Sequence, residues 1–98
     1  MRGLLIVAAP VEFDASVGYR LNPQVALRPE PFGALAYHFG NRKLSFLKVP
    51  ELVELVRELE DHPSVEDALQ GFPEQRRPQF RNALASLAAS DMIRPQAE

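Results

Sequence analysis

The spacing of the apolar residues changes at Pro50, and this change constrains the fold more than any other feature of the sequence. Upstream of Pro50, short apolar segments carry a period near two residues, which is typical of β-strands. Downstream of it, apolar residues recur with the period of about 3.6 residues that indicates amphipathic helices. The sequence therefore predicts strands first and helices second, the order of an α+β domain.

Three strands are predicted upstream of Pro50, over residues 25–28, 34–39 and 43–48. The second of these alternates moderately and contains aromatic residues, which favour strands. Residues 40–42, between the second and third strands, favour a turn because positive φ angles cost little there. The last two strands therefore predict a β-hairpin.

The third predicted strand alternates in character along its length. Leu44 and Phe46 share one face and are expected in the core, and Lys43, Ser45 and Leu47 share the other. A strand at the edge of a sheet exposes unpaired N–H and C=O groups. We expect the outward N–H groups of this strand to be those of Ser45 or Leu47.

The first two predicted helices follow Pro50, which suits a first helical turn. The first ends before His62 and has one apolar stripe, formed by Leu52, Val53, Leu55, Val56 and Leu59. Ser64 is the predicted N-cap of a short second helix over residues 65–69, with Asp67 in a shorter-armed variant of the capping box. Gly71 ends that helix.

The third predicted helix runs from Pro78 to Ser90. Its apolar stripe consists of Phe80, Ala83, Leu84, Leu87 and Ala88. A short extended piece is expected within residues 91–95. Together these elements predict a winged-helix-like α+β fold, a three-stranded antiparallel sheet followed by three helices, with one sheet edge left available.

The chain of 98 residues is long enough for one hydrophobic core only. We predict a domain over residues 19–95 and a weakly patterned N-terminal arm over residues 1–18. The apolar run Leu4–Ala9 is much shorter than the roughly 20 residues of a membrane span. We therefore expect a strand, an arm or a loose tail there, and no membrane partner; a secretory signal peptide, whose apolar region usually has about 7–15 residues, is the alternative.

Composition argues against several classes of function. There is no cysteine, which excludes thiolate chemistry, and the formal net charge of −2 offers no general attraction for nucleic acid. His38, inside an apolar strand, is expected to pack in the core, and His62 to lie at a helix end. A solvated helix face is expected for the carboxylates Glu51, Glu54, Glu58, Glu60 and Asp61. We predict no enzyme activity, no catalytic residue, no metal site and no cofactor.

A specific resemblance lies in the stretch from Tyr19 to Gly40 and in its continuation from Asn41 to Lys48. The first reads YRLNPQVALRPEPFGALAYHFG and the second NRKLSFLK. This sequence resembles the mycofactocin precursor-peptide chaperones, which are PqqD-like peptide-recognition elements of ribosomally made, modified peptides. The resemblance extends to about Pro95 and does not include residues 1–18.

The resemblance implies a function and a site. Such proteins are cytoplasmic, carry no cofactor, and bind the leader of a precursor peptide as an added strand on the third strand. The groove is shared with the third helix, and the partner is a radical S-adenosylmethionine enzyme that modifies the peptide. The peptide-binding residues predicted on this basis are Lys43, Leu44, Ser45, Phe46, Leu47, Lys48, Arg77, Phe80, Arg81 and Leu84.

Each part of this site has a plain structural alternative. The strand can be simply the second arm of the hairpin, and the apolar residues of the third helix have the spacing of core residues. Arg76, Arg77 and Arg81 form the densest positive cluster, which would attract an acidic leader or would be a solvated helix start.

The main alternative function is a winged-helix DNA-binding regulator, because the architecture would be shared. Its recognition helix would present Gln79, Arg81 and Asn82 to the bases and phosphates. Its hairpin would contribute Arg42, Lys43 and Lys48. The net charge argues against this function, and we expect no nucleic-acid partner.

Overall fold

The chain forms strands and then helices in the predicted order, in a computed structural model that describes residues 13–96. The strands are β1 (Tyr19–Leu21), β2 (Val25–Glu30), β3 (Gly33–His38), β4 (Leu44–Leu47) and β5 (Ile93–Pro95). The helices are α1 (Pro50–Glu58), α2 (Val65–Leu69) and α3 (Arg77–Ala89). The α+β class is therefore confirmed.

The three predicted strands form one antiparallel sheet in the order β2-β3-β4. The β3–β4 hairpin is confirmed, with Ala36 opposite Ser45 and Ala34 opposite Leu47. The alanines and Leu47 are buried, so this face of the sheet packs on the helices. The sheet thus has one face in the core and one face in solvent, as antiparallel sheets commonly do.

The expectation that Leu44 and Phe46 lie in the core is wrong. Their side chains are 55% and 60% exposed, whereas Leu47 is 1% exposed. Because side chains alternate along a strand, a buried Leu47 opposite Ala34 requires Leu44 and Phe46 to point to the solvent face. The period of the strand is as predicted, but its two faces are exchanged.

A second, two-stranded sheet was not predicted. In it β1 pairs antiparallel with β5, with Arg20 opposite Arg94. β5 corresponds to the extended piece expected after the third helix. β1 has three residues, too few to display a period, and it joins the start of the described domain to its end. The fold therefore has two sheets and not the single one predicted.

The helices bury the stripes that the sequence indicates. α1 begins with Pro50 and is followed by a 3₁₀ turn over Leu59–Asp61, and α3 begins at Arg77, one residue before the predicted start. The N-cap prediction for α2 is confirmed, because the Asp67 N–H donates to Ser64 Oγ at 3.0 Å. Within residues 13–96, no helix is long and apolar enough to cross a bilayer.

The last part of the predicted arm contacts the domain. The Phe13 ring lies 5.1 Å from that of Tyr19, between ring centres. The Val65 N–H, at the start of α2, donates to the Val17 carbonyl at 3.2 Å. The Leu4–Ala9 run falls outside the described residues.

Candidate functional site

Among residues 13–96, no strand pairs with the outer edge of β4, and the ladder shows which of its backbone groups point outward. The His38 N–H donates to the Lys43 carbonyl at 3.0 Å. Hydrogen-bonded and non-hydrogen-bonded pairs alternate in an antiparallel ladder, so Ser45 and Leu47 bond to β3. The N–H and C=O groups of Leu44 and Phe46 therefore point away from the sheet. The expectation that Ser45 or Leu47 has the outward N–H is wrong, since the register gives the opposite set.

The opposite edge, on β2, is a poorer template for pairing. Pro29 has no N–H, and the Val25 N–H already donates to the Asn22 carbonyl at 2.9 Å. By the same alternation, Leu27 has the one outward N–H left between them. A hollow of about 530 Å³ borders this edge and is lined partly by Val25 and Leu27. Prolines on edge strands hinder strand addition, so the two edges of this sheet are not equivalent.

A groove runs beside β4, between this strand and α3. Its volume is about 250 Å³, and its lining is Ser45, Phe46, Leu47, Leu52, Ala83, Ser86 and Leu87. Ala83, Ser86 and Leu87 are three and four residues apart, so they share one face of α3. Two of these three side chains are small, which leaves room between helix and strand. The unpaired edge of β4 therefore borders an open, partly apolar groove.

The residues predicted on α3 are distributed differently. Phe80 and Leu84 are 1% and 0% exposed and belong to the core, as their alternative interpretation requires. The structure brings the predicted residues Ser45, Phe46 and Leu47 together with Ala83 and Ser86, which sequence reasoning did not assign to the site. Ala83 stood in the predicted stripe, and its small size next to larger apolar residues was the available signal.

The positive cluster is engaged within the fold. Arg81 makes a two-pronged contact with the Glu66 carboxylate, at 3.0 and 3.2 Å, and Arg77 Nε donates to the Phe72 carbonyl at 2.9 Å. Arg76 lies 3.6 Å from a Glu51 carboxylate oxygen and over the Phe80 ring. These contacts hold α3 against α2 and α1. They leave less of the positive charge for an acidic peptide or for phosphates.

His38 connects the β3–β4 turn to the end of α3. Its Nδ1 accepts from the backbone N–H groups of Gly40 at 2.9 Å and Asn41 at 3.1 Å. The ring proton therefore lies on Nε2, which donates to Asp91 Oδ2 at 2.9 Å. Buried Asn22 completes the cluster, because its Nδ2 donates to the Asp91 carbonyl at 2.8 Å. We refer to His38, Asn22 and Asp91 as the latch.

Asp91 occupies an unusual backbone position for this role. Its φ is 64°, in the left-handed region where glycine is usual. The Met92 N–H donates to the Leu87 carbonyl at 2.8 Å, which ends α3 in a Schellman motif. Partial burial raises the pKa of Asp91, but hydrogen bonds from His38 and Arg94 and the charge of Arg94 outweigh it. The pKa of Asp91 therefore lies below its ordinary value.

The latch fixes the hairpin relative to the helix. The Asn41 side chain adds a bond to the Ser90 carbonyl at 3.3 Å, so the turn between β3 and β4 is held to the C-terminal end of α3. This contact sets the distance between the β4 edge and α3 at one end of the groove. In chemical terms, the site offers a ladder of backbone donors and acceptors beside an apolar surface, which suits an extended polypeptide.

In residues 13–96, the fold and the site define a small α+β domain in which an open strand edge lies beside a helix, as in strand-addition peptide binders. Residues 18–94 match the family model for the peptide chaperone MftB family. The chain belongs to this family, and the resemblance noted in the sequence is confirmed.

Named relatives cover almost the whole chain. It is 50% identical to the peptide chaperone MftB of Mycobacterium ulcerans, over 98% of this chain and 96% of that protein. It is 46% identical to the peptide chaperone MftB of Mycobacterium tuberculosis, over 98% of this chain and 97% of that protein. The protein of the same name from Mycolicibacterium smegmatis is 50% identical, over 91% of this chain and 89% of its own length. No solved structure matches the chain, so the winged-helix assignment stays a prediction.

Proposed function

We propose that this protein is a peptide chaperone of mycofactocin biosynthesis, which binds the leader of a precursor peptide along β4 and presents it to a radical S-adenosylmethionine enzyme. One observation supports this most directly: the outward N–H and C=O groups of Leu44 and Phe46 lie along an unpaired edge next to a groove. Family membership supports the same function, because the relatives are named as peptide chaperones.

In this proposal the leader becomes a fourth strand of the sheet, between β4 and α3. Its backbone exchanges hydrogen bonds with Leu44 and Phe46, and these bonds give affinity without regard to sequence. Alternate side chains of the leader enter the groove against Ala83, Ser86 and Leu87, and these contacts give specificity. The protein itself contributes no catalytic group and acts by ordering the peptide next to the enzyme, which raises the effective concentration of the substrate.

The DNA-binding alternative receives no comparable support. Arg81, the main cation of the proposed recognition helix, already contacts Glu66 through two hydrogen bonds. A phosphate would have to compete with this ion pair. The cations of the hairpin remain, but a few of them give only weak, salt-sensitive binding.

A backbone variant tests the proposed peptide edge. We expect Phe46→Pro to weaken binding of a synthetic leader by about fivefold or more relative to Phe46→Ala, measured by fluorescence anisotropy. Proline removes one outward N–H, and a net hydrogen bond is worth about 1 kcal/mol. The alanine variant keeps that N–H and removes the same exposed ring, so the comparison isolates the backbone.

The control is Ser45→Pro, which removes an N–H that bonds to β3 and should therefore destabilise the hairpin itself. Circular dichroism and amide NMR spectra establish that the Phe46 variants keep the fold. A folded Phe46→Pro variant that binds the leader as tightly as Phe46→Ala would show that the peptide does not pair with this edge.

A further inference from the structure

The solvent face of the three-stranded sheet carries an apolar patch, which shares only Phe46 with the lining of the peptide groove. It consists of Ala26, Leu35, Tyr37, Phe39, Leu44 and Phe46. Phe39 is 63% exposed and packs edge-on against Tyr37, with ring centres 5.0 Å apart. Phe32 packs in the same way against Phe46, at 6.0 Å. Four large apolar side chains are thus exposed on or beside one sheet face.

The patch covers much of one face of the three-stranded sheet. Three strands about 4.8 Å apart and six residues of about 3.3 Å each give a face of roughly 15 by 20 Å. Contiguous apolar patches of several hundred Å² on a small protein often mark interaction sites. A hollow of about 310 Å³ within it, between Ala26, Leu35, Phe39 and their neighbours, can receive an inserted side chain.

Cations outnumber carboxylates in the strands and turns that carry the patch, and Arg28 Nε lies 3.5 Å from the Glu30 carboxylate. Residues 25–48 contain four cations and one carboxylate, namely Arg28, Arg42, Lys43, Lys48 and Glu30. Lys48 Nζ lies 5.9 Å from the centre of the Phe46 ring. Residues 50–61, in α1 and the turn after it, contain five carboxylates and one arginine. Charge is therefore distributed unequally along the chain: the three-stranded sheet is basic, and α1 with the turn after it is acidic.

The patch also adjoins the proposed peptide site. Leu44 and Phe46 belong to both, because their backbone groups form the β4 edge while their side chains lie on the solvent face. A protein seated on the patch would lie next to a peptide bound at that edge. This is the arrangement that delivery of the peptide to a second protein requires.

We propose that this basic-rimmed patch is the docking surface for the modifying enzyme, and that the enzyme meets it with an apolar surface ringed by Asp and Glu side chains. The inference rests on the proposed function and deepens it by assigning the enzyme contact to the solvent face of the sheet, next to the peptide groove. Aromatic residues and arginine are enriched at protein interfaces, and rim charges steer the association of oppositely charged partners.

Two variants that avoid the β4 edge test the docking surface. Phe39→Glu places a carboxylate at the centre of the patch, and Arg28→Glu reverses a charge at its rim. The matched control is Arg57→Glu, the same substitution at an exposed position on α1. Binding to the immobilised cognate radical S-adenosylmethionine enzyme is measured near physiological salt, and leader binding is measured separately by fluorescence anisotropy.

We expect Phe39→Glu and Arg28→Glu to weaken enzyme binding at least tenfold, while Arg57→Glu changes it less than twofold. All three variants should bind the leader within twofold of wild type. Unchanged enzyme binding by the two patch variants would overturn the docking assignment, as would wild-type protein that binds leader but not enzyme. Failure of the wild type to bind leader would instead contradict the proposed function.

Two other occupants are distinguished by the same variants. Binding of the wild type to phosphatidylglycerol-containing vesicles, lost in Phe39→Glu, would assign the patch to an anionic membrane and overturn the proposal. A dimer in light scattering that Phe39→Glu converts to monomer would assign it to a second copy of the chain, with the same consequence. A wild-type protein that is monomeric and does not bind such vesicles supports docking of the enzyme at the patch.

Discussion

Removal of the latch should cost a measurable part of the stability of the fold. His38→Ala deletes two bonds from turn N–H groups and one to the Asp91 carboxylate. Neutral bonds contribute about 1 kcal/mol each and bonds to a charged group about 1.5–3 kcal/mol. Water can replace the bonds to the exposed turn, so we expect a loss of about 3 kcal/mol. For a domain of this size that corresponds to roughly 12–24 °C in Tm.

A double-mutant cycle isolates the bond between the two side chains. Asp91→Gly removes the carboxylate, and glycine suits the positive φ of this position. The stability gained from this backbone preference is the same with and without His38, so it cancels in the cycle. Since the Asp91 side chain is 47% exposed and solvent screens the interaction, we expect a coupling of about 1 kcal/mol, below the range for a buried bond to a charged group. The assay is urea denaturation followed by circular dichroism at pH 7.

A coupling below about 0.3 kcal/mol would refute the reasoning, because distant independent sites add within about this margin. If His38→Ala alone lowers the unfolding free energy by much less than about 3 kcal/mol, the predicted magnitude is wrong. A second variant, His38→Gln, tests whether His38 takes part in peptide modification. If that variant folds and binds leader normally but supports no product, His38 takes part in the chemistry, and the binding-only mechanism fails.

Three further outcomes follow from the contacts described. The pKa of Asp91 lies below its ordinary value of 3.8, so the stabilising contribution of its carboxylate is complete above pH 3.8 and is lost as pH falls through the lower pKa of the folded state. The difference in unfolding free energy between wild type and Asp91→Gly should therefore shrink below about pH 4, measured by acid titration of unfolding. Ser64→Ala removes the N-cap bond to the Asp67 N–H and should cost about 1 kcal/mol in the same denaturation assay, whereas Ser64→Asp should keep most of it. Electrophoretic mobility shifts at physiological salt should detect no sequence-specific DNA binding, and a nanomolar, sequence-dependent shift would favour the winged-helix regulator instead.

The sequence predicted those parts of the fold that local pattern determines. The helical stripe after Pro50, the Ser64 cap and the β3–β4 hairpin were all readable, because period and capping are properties of neighbouring residues. The exchanged faces of β4 were not readable. A strand of four residues with apolar side chains on both faces is compatible with either register, and burial of Leu47 decides between them.

Contacts between distant parts of the chain also could not be predicted from the sequence. The β1–β5 pair joins Tyr19 to Pro95, and the His38–Asp91 bond spans 53 positions. Nothing local to either partner indicates the other. The location of the groove, between the third predicted strand and the third helix, was predicted from the resemblance. Its lining residues were not, because they depend on which face of α3 turns toward the strand. Only the packed structure supplies that rotation.

Pro29 has a consequence for the number of peptides that one molecule can hold. A sheet with two open edges can grow from both sides and can join further sheets into larger assemblies. In the three-stranded sheet of residues 13–96, Pro29 hinders growth beyond β2, while α3 borders the groove next to β4. A strand added there would leave no accessible edge behind it. If the leader pairs with β4 as proposed, we expect this sheet to hold one peptide per chain, and the loaded complex not to grow further through it.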